Sequence, residues 1–373
     1  MIKVALLHFC FEDYTVGLAN GLAKFAEVIL IHPEQLSQRY QQVLDPNIKT
    51  ISFWKPRIRD PRNLRTLYQI SQIVHQLAPD VLHVQEANNF WYDLSLLFQR
   101  APIRTPLVTT IHDVFRHPGD RDLVFGSEYT RRIAYHRSHH LIVHTHFLQR
   151  VLIEQFQVPA QQVSVIPHGE LGSLYQQFAP MEVAQVLDRD PHTLLFFGRI
   201  WPYKGLKYLV EAMPIVRRVI PTAKLVIAGR GENLTQYFPQ GCDLTPYEQL
   251  NQFIPFEAVA GLFERSAAVV LPYIESSQSG VAAIAYGTGT PVIASDIGGL
   301  AEMVHHEQDG LLVPPADSLT LAQSIIRLLQ DRALQAHLQQ GALMRCQQDL
   351  NWTNIAAQTI QVYQKVCFSA IVT

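Results

Sequence analysis

Short apolar runs, each followed by an amphipathic stretch, recur along almost the whole chain, and this alternation constrains the fold more than any other feature. Candidate strands lie at 3–7, 27–31, 81–84, 107–111, 141–144 and 163–166, with helical patterns at 63–76, 129–137 and 146–155. Strands alternating with helices predict a parallel sheet covered on both faces. The run ends at the turn signal Ile166-Pro167-His168-Gly169, and residues 170–191 are more polar and less periodic, as in an interdomain connection. The pattern then restarts with strands at 193–197, 224–228, 268–271, 292–294 and 310–313 and helices at 206–219 and 319–329. Two successive doubly wound α/β units are implied. Ligands in such sheets bind beyond the carboxyl ends of the strands, so the chemistry belongs in the loops at those ends. The last helical stretch, 352–366, has no partner strand and is free to pack elsewhere.

Composition narrows the classes. A length of 373 residues suits two domains, and 48% apolar with 17% charged residues is globular. A formal charge of -2 and the lack of a basic cluster with interleaved aromatics predict no nucleic-acid partner. Four scattered cysteines without CxxC spacing point to reduced thiols in a cytoplasmic compartment. No apolar run reaches the roughly 18–20 residues of a spanning helix. The stretch Lys55-Pro56-Arg57-Ile58-Arg59-Asp60-Pro61-Arg62-Asn63-Leu64-Arg65 sets five cations against one acid. It reads as a solvated loop and helix start, or as a peripheral contact with an anionic membrane face.

The chemistry-bearing motifs cluster in the second half. Between the apolar runs 267–272 and 291–294 lies Glu275-Ser276-Ser277-Gln278-Ser279-Gly280-Val281, a small polar loop entering a helix. Backbone N–H groups and a helix dipole would converge there on an anion. The segment Phe197-Gly198-Arg199-Ile200-Trp201-Pro202-Tyr203-Lys204-Gly205 puts a guanidinium and an ammonium after a strand. Two such cations suit a diphosphate, whose charge is spread over several oxygens, although either alone reads as a surface residue. Ala228-Gly229-Arg230-Gly231-Glu232 allows a close backbone approach to a flat ligand or merely a tight turn.

At these residues the chain resembles the retaining glycosyltransferases of family 4. Residues 197–205 look like the family's G-R-x-x-x-x-K-G, and 289–302 like its G-T-P-V-V-A-S-D-x-G-G-x-x-E. Asp309-Gly310-Leu311-Leu312-Val313-Pro314-Pro315-Ala316-Asp317 matches the family's next segment. The resemblance implies the GT-B architecture, two Rossmann-like doubly wound domains facing across a cleft. An acceptor-binding domain would cover 1–180, joined by a C-terminal helix 352–373 that crosses back to it, and a nucleotide-sugar-binding domain would cover 181–351. It implies that Arg199 and Lys204 bind the donor diphosphate, that Glu275 orients the sugar, and that His112 lies near it. Gly198, Gly229, Arg230, Gly231, Gln278, Ser279, Gly280 and Val281 would line the donor site. Glu12, Asp13 and Glu86 come after strands of the first half and are candidate acceptor contacts, with ordinary loop polarity as the alternative.

The sequence departs from the family at one place. The second glutamate of its E-x7-E pattern, which holds the nucleotide ribose, falls on Ile284, and Glu275 stands one residue early. Gln278 and Ser279 are the groups that could supply part of the missing contact. The expected activity is sugar transfer from a nucleotide diphosphate sugar to a hydroxyl of a glycan or lipid-linked acceptor, with retained configuration and no cofactor. No metal is implied, because Asp188-Arg189-Asp190, a D-x-D, falls in the interdomain stretch. A GT-B epimerase or phosphorylase, or a binding protein with a degenerate donor site, shares these features. A dinucleotide oxidoreductase is disfavoured, since neither half opens with GxGxxG.

Overall fold

The computed structural model describes residues 1–35, 38–86, 89–97, 105–114, 127–179 and 189–372. It divides into two compact units: Met1–Val114 with Arg121–Gly169 and Asn351–Thr373, and a second built on Glu170–Leu350. The division falls at 169/170, ahead of the expected 180/181. The cause is the helix Gly172–Phe178, whose Leu174 and Tyr175 are buried. Residues 170–179 therefore belong to the second unit's packing and are not a plain connector; residues 181–188 lie outside the described set.

In the first unit, strands β1 (Ile2–His8), β2 (Ala26–Pro33), β3 (Lys49–Phe53), β4 (Val81–Gln85), β5 (Leu107–Ile111), β6 (His140–Val143) and β7 (Val163–Val165) form one seven-stranded sheet. Its order is β3-β2-β1-β4-β5-β6-β7, and every pairing is parallel. In the second, β8 (Asp190–Phe197), β9 (Lys224–Ala228), β10 (Tyr247–Leu250), β11 (Ser266–Leu271), β12 (Val292–Ser295) and β13 (Gly310–Val313) run β10-β9-β8-β11-β12-β13, again all parallel. The central strands are largely buried, as a sheet covered on both faces requires. Strands β3 and β10 escape the sequence reading because exposed polar residues, Lys49, Thr50 and Ser52 in one and Glu248 and Gln249 in the other, break the apolar run. Lys-Thr-Ile-Ser-Phe and Tyr-Glu-Gln-Leu therefore carry little apolar signal.

Strand order reverses beside β1 and β4 in the first sheet and beside β8 and β11 in the second, which opens a gap between neighbouring crossovers at each carboxyl edge. The loops after these strands carry the candidate site residues.

The helix Trp352–Val372 returns to the first unit as expected. It lies along the helix Glu12–Leu22, with Ile355, Ala356, Tyr363 and Val366 joining Tyr14, Leu18 and Leu22 in one apolar cluster. Three glycines make room for Trp352. A Cβ on Gly17 would collide with its indole, one on Gly21 with its backbone carbonyl, and one on Gly169 would stand 2.6 Å from the ring. Gly17→Ala should therefore lower stability by about 1–3 kcal/mol, the usual range for overpacking. Urea unfolding monitored by Trp fluorescence would check it, and an unchanged midpoint would show that the indole moves aside freely.

Candidate active site

The second unit gathers the cations. Beyond β8, Gly198 takes φ 109° and its N–H bonds Ala228 O at 2.9 Å. Gly229 and Gly231 sit against this loop so closely that a Cβ on either would collide with the carbonyl of Gly198 or Ile200. These glycines are thus required by loop-on-loop packing whether or not a base lies near them. Arg230 is exposed. Arg199 is exposed too, and its Nη2 donates to Tyr203 Oη at 3.2 Å.

Lys204 ends the 3-10 turn Pro202–Lys204 and is half-buried. Its Nζ stands 3.7 Å above the centre of the Tyr273 ring and 5.0 Å from that of Tyr203. The turn is pressed on the loop after β11, where Ile274 N–H donates to Tyr203 O at 2.9 Å. Gly205, at φ 67°, permits this, because a Cβ there would collide with Pro272 O. Farther along the same loop, Ser279 caps the helix Gly280–Gly287, its Oγ accepting from Ala282 N–H at 3.4 Å. Val281 lies in the first turn of that helix. Glu275 is half-buried. Gln278 buries its Oε1 with no hydrogen-bond partner among the described residues. Ile284 is 5% exposed on the capped helix.

The D-x-D candidate plays a structural part where it is described. Asp190 opens β8 and accepts from His192 N–H at 2.9 Å, while Arg189 binds the carbonyls of Ser266 and Gly289. Among the described residues no group of three His, Cys, Asp or Glu side chains is placed to hold a metal ion.

In the first unit imidazoles crowd the carboxyl edge. His112, His144 and His168 come after β5, β6 and β7, all buried, and the Tyr14 ring lies 4.7, 5.1 and 4.9 Å from them. Phe11, held at φ 63°, stacks on His112 at 4.1 Å. Glu12 and Asp13 begin the helix behind it. Glu12 is half-buried, with its carboxyl pushed up by burial and by Asp13, and Asp13 accepts from Tyr40 Oη. Glu86 is 3% exposed. It accepts from the N–H groups of His112 at 2.8 Å and Asp113 at 3.1 Å, with Arg131 Nε 3.7 Å away. It therefore shapes the His112 loop from inside, and burial pushes its carboxyl up to about 7. Sequence reading missed His144, His168, Arg131, and Tyr203 and Tyr273 beside Lys204. Polar residues at successive strand ends were the available signal for the histidines.

One carbonyl orders the protons of this edge. Ile166 O can only accept, so His144 Nδ1, 3.0 Å away, carries the hydrogen and its Nε2 is bare. His112 Nδ1, 3.1 Å from that Nε2, must then donate, leaving His112 Nε2 bare. The Gln85 amide stands 3.2 Å from His112 Nε2 and 3.3 Å from His83 Nε2. As placed, Gln85 Oε1 faces His112 and its Nε2 faces His83. The bare His112 Nε2 needs a donor, so hydrogen bonding assigns the amide the other way round, NH2 to His112 and carbonyl to His83, whose Nε2 also lies 2.7 Å from Thr110 Oγ1. His83 Nδ1 then accepts from Tyr363 Oη at 2.5 Å. All three imidazoles are neutral, since burial lowers His83 and His144 to about 3 and His112 well below its ordinary value.

Folding and protonation are linked through these rings. A histidine whose folded pKa is depressed binds fewer protons folded than unfolded, so its contribution to stability is lost as pH falls below about 6.5. His8, lowered to about 3 by burial, and His168, lowered to about 4, behave alike. Glu86 and Asp93, both pushed up to about 7 by burial, act in the opposite sense and are fewer. The unfolding free energy from urea titration should be lower at pH 5.5 than at pH 7.5, by on the order of 1 kcal/mol per buried ring before the carboxylates offset part of it. Histidine 15N NMR should read His112 and His144 as Nδ1–H tautomers at both pH values; Nε2–H on His112 would reverse the derived order.

Comparison with known proteins bears on family and fold. The family described as Glycosyltransferase Family 4 matches residues 12–169, and Glycosyl transferases group 1 matches 191–331. An uncharacterized glycosyltransferase of Methanocaldococcus jannaschii is 28% identical over 277 residues, 70% of either chain. Among solved structures, a sucrose-phosphate synthase from Thermosynechococcus elongatus superposes with TM-score 0.74 at 22% identity, covering 99% of this chain and 100% of that one. Anabaena HepE, solved with UDP-glucose, superposes with TM-score 0.72 at 18% identity, covering 98% and 100%. These likenesses show the GT-B fold.

Proposed function

Because this chain belongs to the family 4, group 1 glycosyltransferases, we propose that it moves a sugar, with retained anomeric configuration, from a nucleotide diphosphate sugar to an acceptor hydroxyl. The observation that carries the donor half is the carboxyl edge of the second sheet, where Arg199, Lys204 and the Ser279-capped helix come after the two strands at the order reversal. Preorganised donors of this kind stabilise charge that grows on a departing diphosphate. A phosphate oxygen of that leaving group can take the acceptor proton on the same face, so no carboxylate base and no metal enter the scheme. Glu275 orients the sugar hydroxyls. HepE with UDP-glucose makes that compound the first donor to test.

In this reading the first unit serves the acceptor. His112 acts as a neutral hydrogen-bonding ring and not as a proton shuttle, given how far burial lowers it. The acceptor is a glycan or a lipid-linked sugar. Within 55–65, Arg62 pairs with Asp60 and covers Trp54, and Lys55 bonds Phe9 O, which leaves Arg57, Arg59 and Arg65 as the cations for an anionic headgroup. No helix of the described residues is long and apolar enough to cross a membrane.

The ribose is the point of departure. Ser279 Oγ is engaged in capping, whereas Gln278 Oε1 is a buried acceptor with no partner among the described residues, so Gln278 is the group we assign to a ribose hydroxyl. Ile284 is buried, so Ile284→Glu should cost stability without tightening UDP binding. Tighter binding by calorimetry would show instead that the ribose lacks a partner at that position.

Arg199→Ala and Lys204→Ala should each lower kcat/KM with the matching donor by roughly 10²–10³, the usual effect of removing one charge-stabilising donor. Turnover within a few-fold of wild type in both variants would overturn the diphosphate assignment.

A further inference from the structure

Lys204 is a long, flexible side chain, yet its ammonium is already placed. Nζ lies 3.7 Å from the centre of the Tyr273 ring and 5.0 Å from that of Tyr203. The two rings meet at 67° with centroids 6.5 Å apart, so they form two walls of a corner. Neither wall can drift. Tyr273 is 0% and Tyr203 2% exposed, and Ile274 N–H donates to Tyr203 O at 2.9 Å. The Tyr203 hydroxyl also receives Arg199 Nη2 at 3.2 Å. The Tyr273 hydroxyl lies 3.4 Å from Ser279 Oγ, the group that caps the helix Gly280–Gly287. Arg199, Lys204 and the helix start are thus tied to one another through two phenol rings.

The geometry points to Tyr273, with Tyr203, as a positioning residue that holds the Lys204 ammonium by its π face for the donor diphosphate. The negative face of a phenol ring attracts a cation, most strongly where the ring is shielded from water. An ammonium held there has surrendered its rotamer freedom before the ligand arrives, so ordering it does not weaken binding. A ring packed for core filling alone would be replaceable by an aliphatic side chain of similar size. A ring holding the ammonium would not.

The inference rests on the proposal that Lys204 meets the diphosphate, and the experiment separates the two. Reductive 13C-methylation keeps the lysine charge and places a reporter on Nζ. The Lys204 signal, assigned by its disappearance in Lys204→Arg, should lie upfield of the other lysines because of the ring current. It should stay there in Tyr273→Phe and move to the common position in Tyr273→Leu. A wild-type Lys204 signal among the other lysines would overturn the cage outright, whatever the variants do.

Affinity is then read by calorimetry for whichever of UDP, GDP and ADP most raises the wild-type melting temperature. Tyr273→Phe should bind within about two-fold of wild type and Tyr273→Leu about ten-fold more weakly, the size of one cation–π contact. Tyr273→Leu should add nothing further in a Lys204→Ala background, since both changes remove the same interaction. Additive losses, with Lys204→Ala itself weakened, would overturn the positioning role. Unchanged affinity in Lys204→Ala, or no melting response to any of the three nucleotides, would overturn the diphosphate reading while the NMR shift still reports the cage.

Discussion

The parallel pairing of both sheets is the constraint on which the rest of the structure depends. A strand that must lie parallel to its neighbour obliges the chain to cross back over a face, and each crossover delivers the next loop to the same carboxyl edge. Loops after β1, β4, β5, β6 and β7 are therefore collected in the first unit, and loops after β8, β9 and β11 in the second. Strand interiors buried on both faces admit few polar groups, so titratable side chains concentrate where the strands end.

The two edges differ in how they handle charge. That of the second unit keeps Arg199 exposed and Lys204 half-buried over aromatic faces. That of the first unit encloses its imidazoles so fully that desolvation holds them neutral, and a single carbonyl, Ile166 O, then sets the direction of each hydrogen bond back to Tyr363. Tyr363 belongs to the C-terminal helix. The return of that helix over Gly17 and Gly21 thereby supplies the far end of the network that orders His112.

Glycines show how local chemistry and packing become confounded. Gly229 and Gly231 invite a reading as a ligand approach, yet their absent Cβ atoms are needed first to let the loop after β9 lie on the loop after β8. Glu86 is similar. A carboxylate after a strand suggests an acceptor contact, whereas here it accepts two backbone N–H groups and shapes the loop that carries His112.

Local sequence by itself determined the alternation of strands and helices, the restart near residue 193, the motifs around Arg199, Lys204 and residues 289–302, and the departure at Ile284. Each is written in short-range pattern: apolar periodicity, glycine and proline punctuation, and fixed spacing between charges. It did not reveal the strands β3 and β10, in which exposed polar residues break the apolar run. Nor did it reveal the helix Gly172–Phe178, whose Leu174 and Tyr175 are buried by tertiary neighbours. Tertiary structure alone decided which carboxylate is buried, which histidine nitrogen carries its proton, and that Tyr273 underlies Lys204 from 69 positions away in sequence (273 − 204). Burial and ring geometry depend on groups distant along the chain, and no spacing rule encodes them.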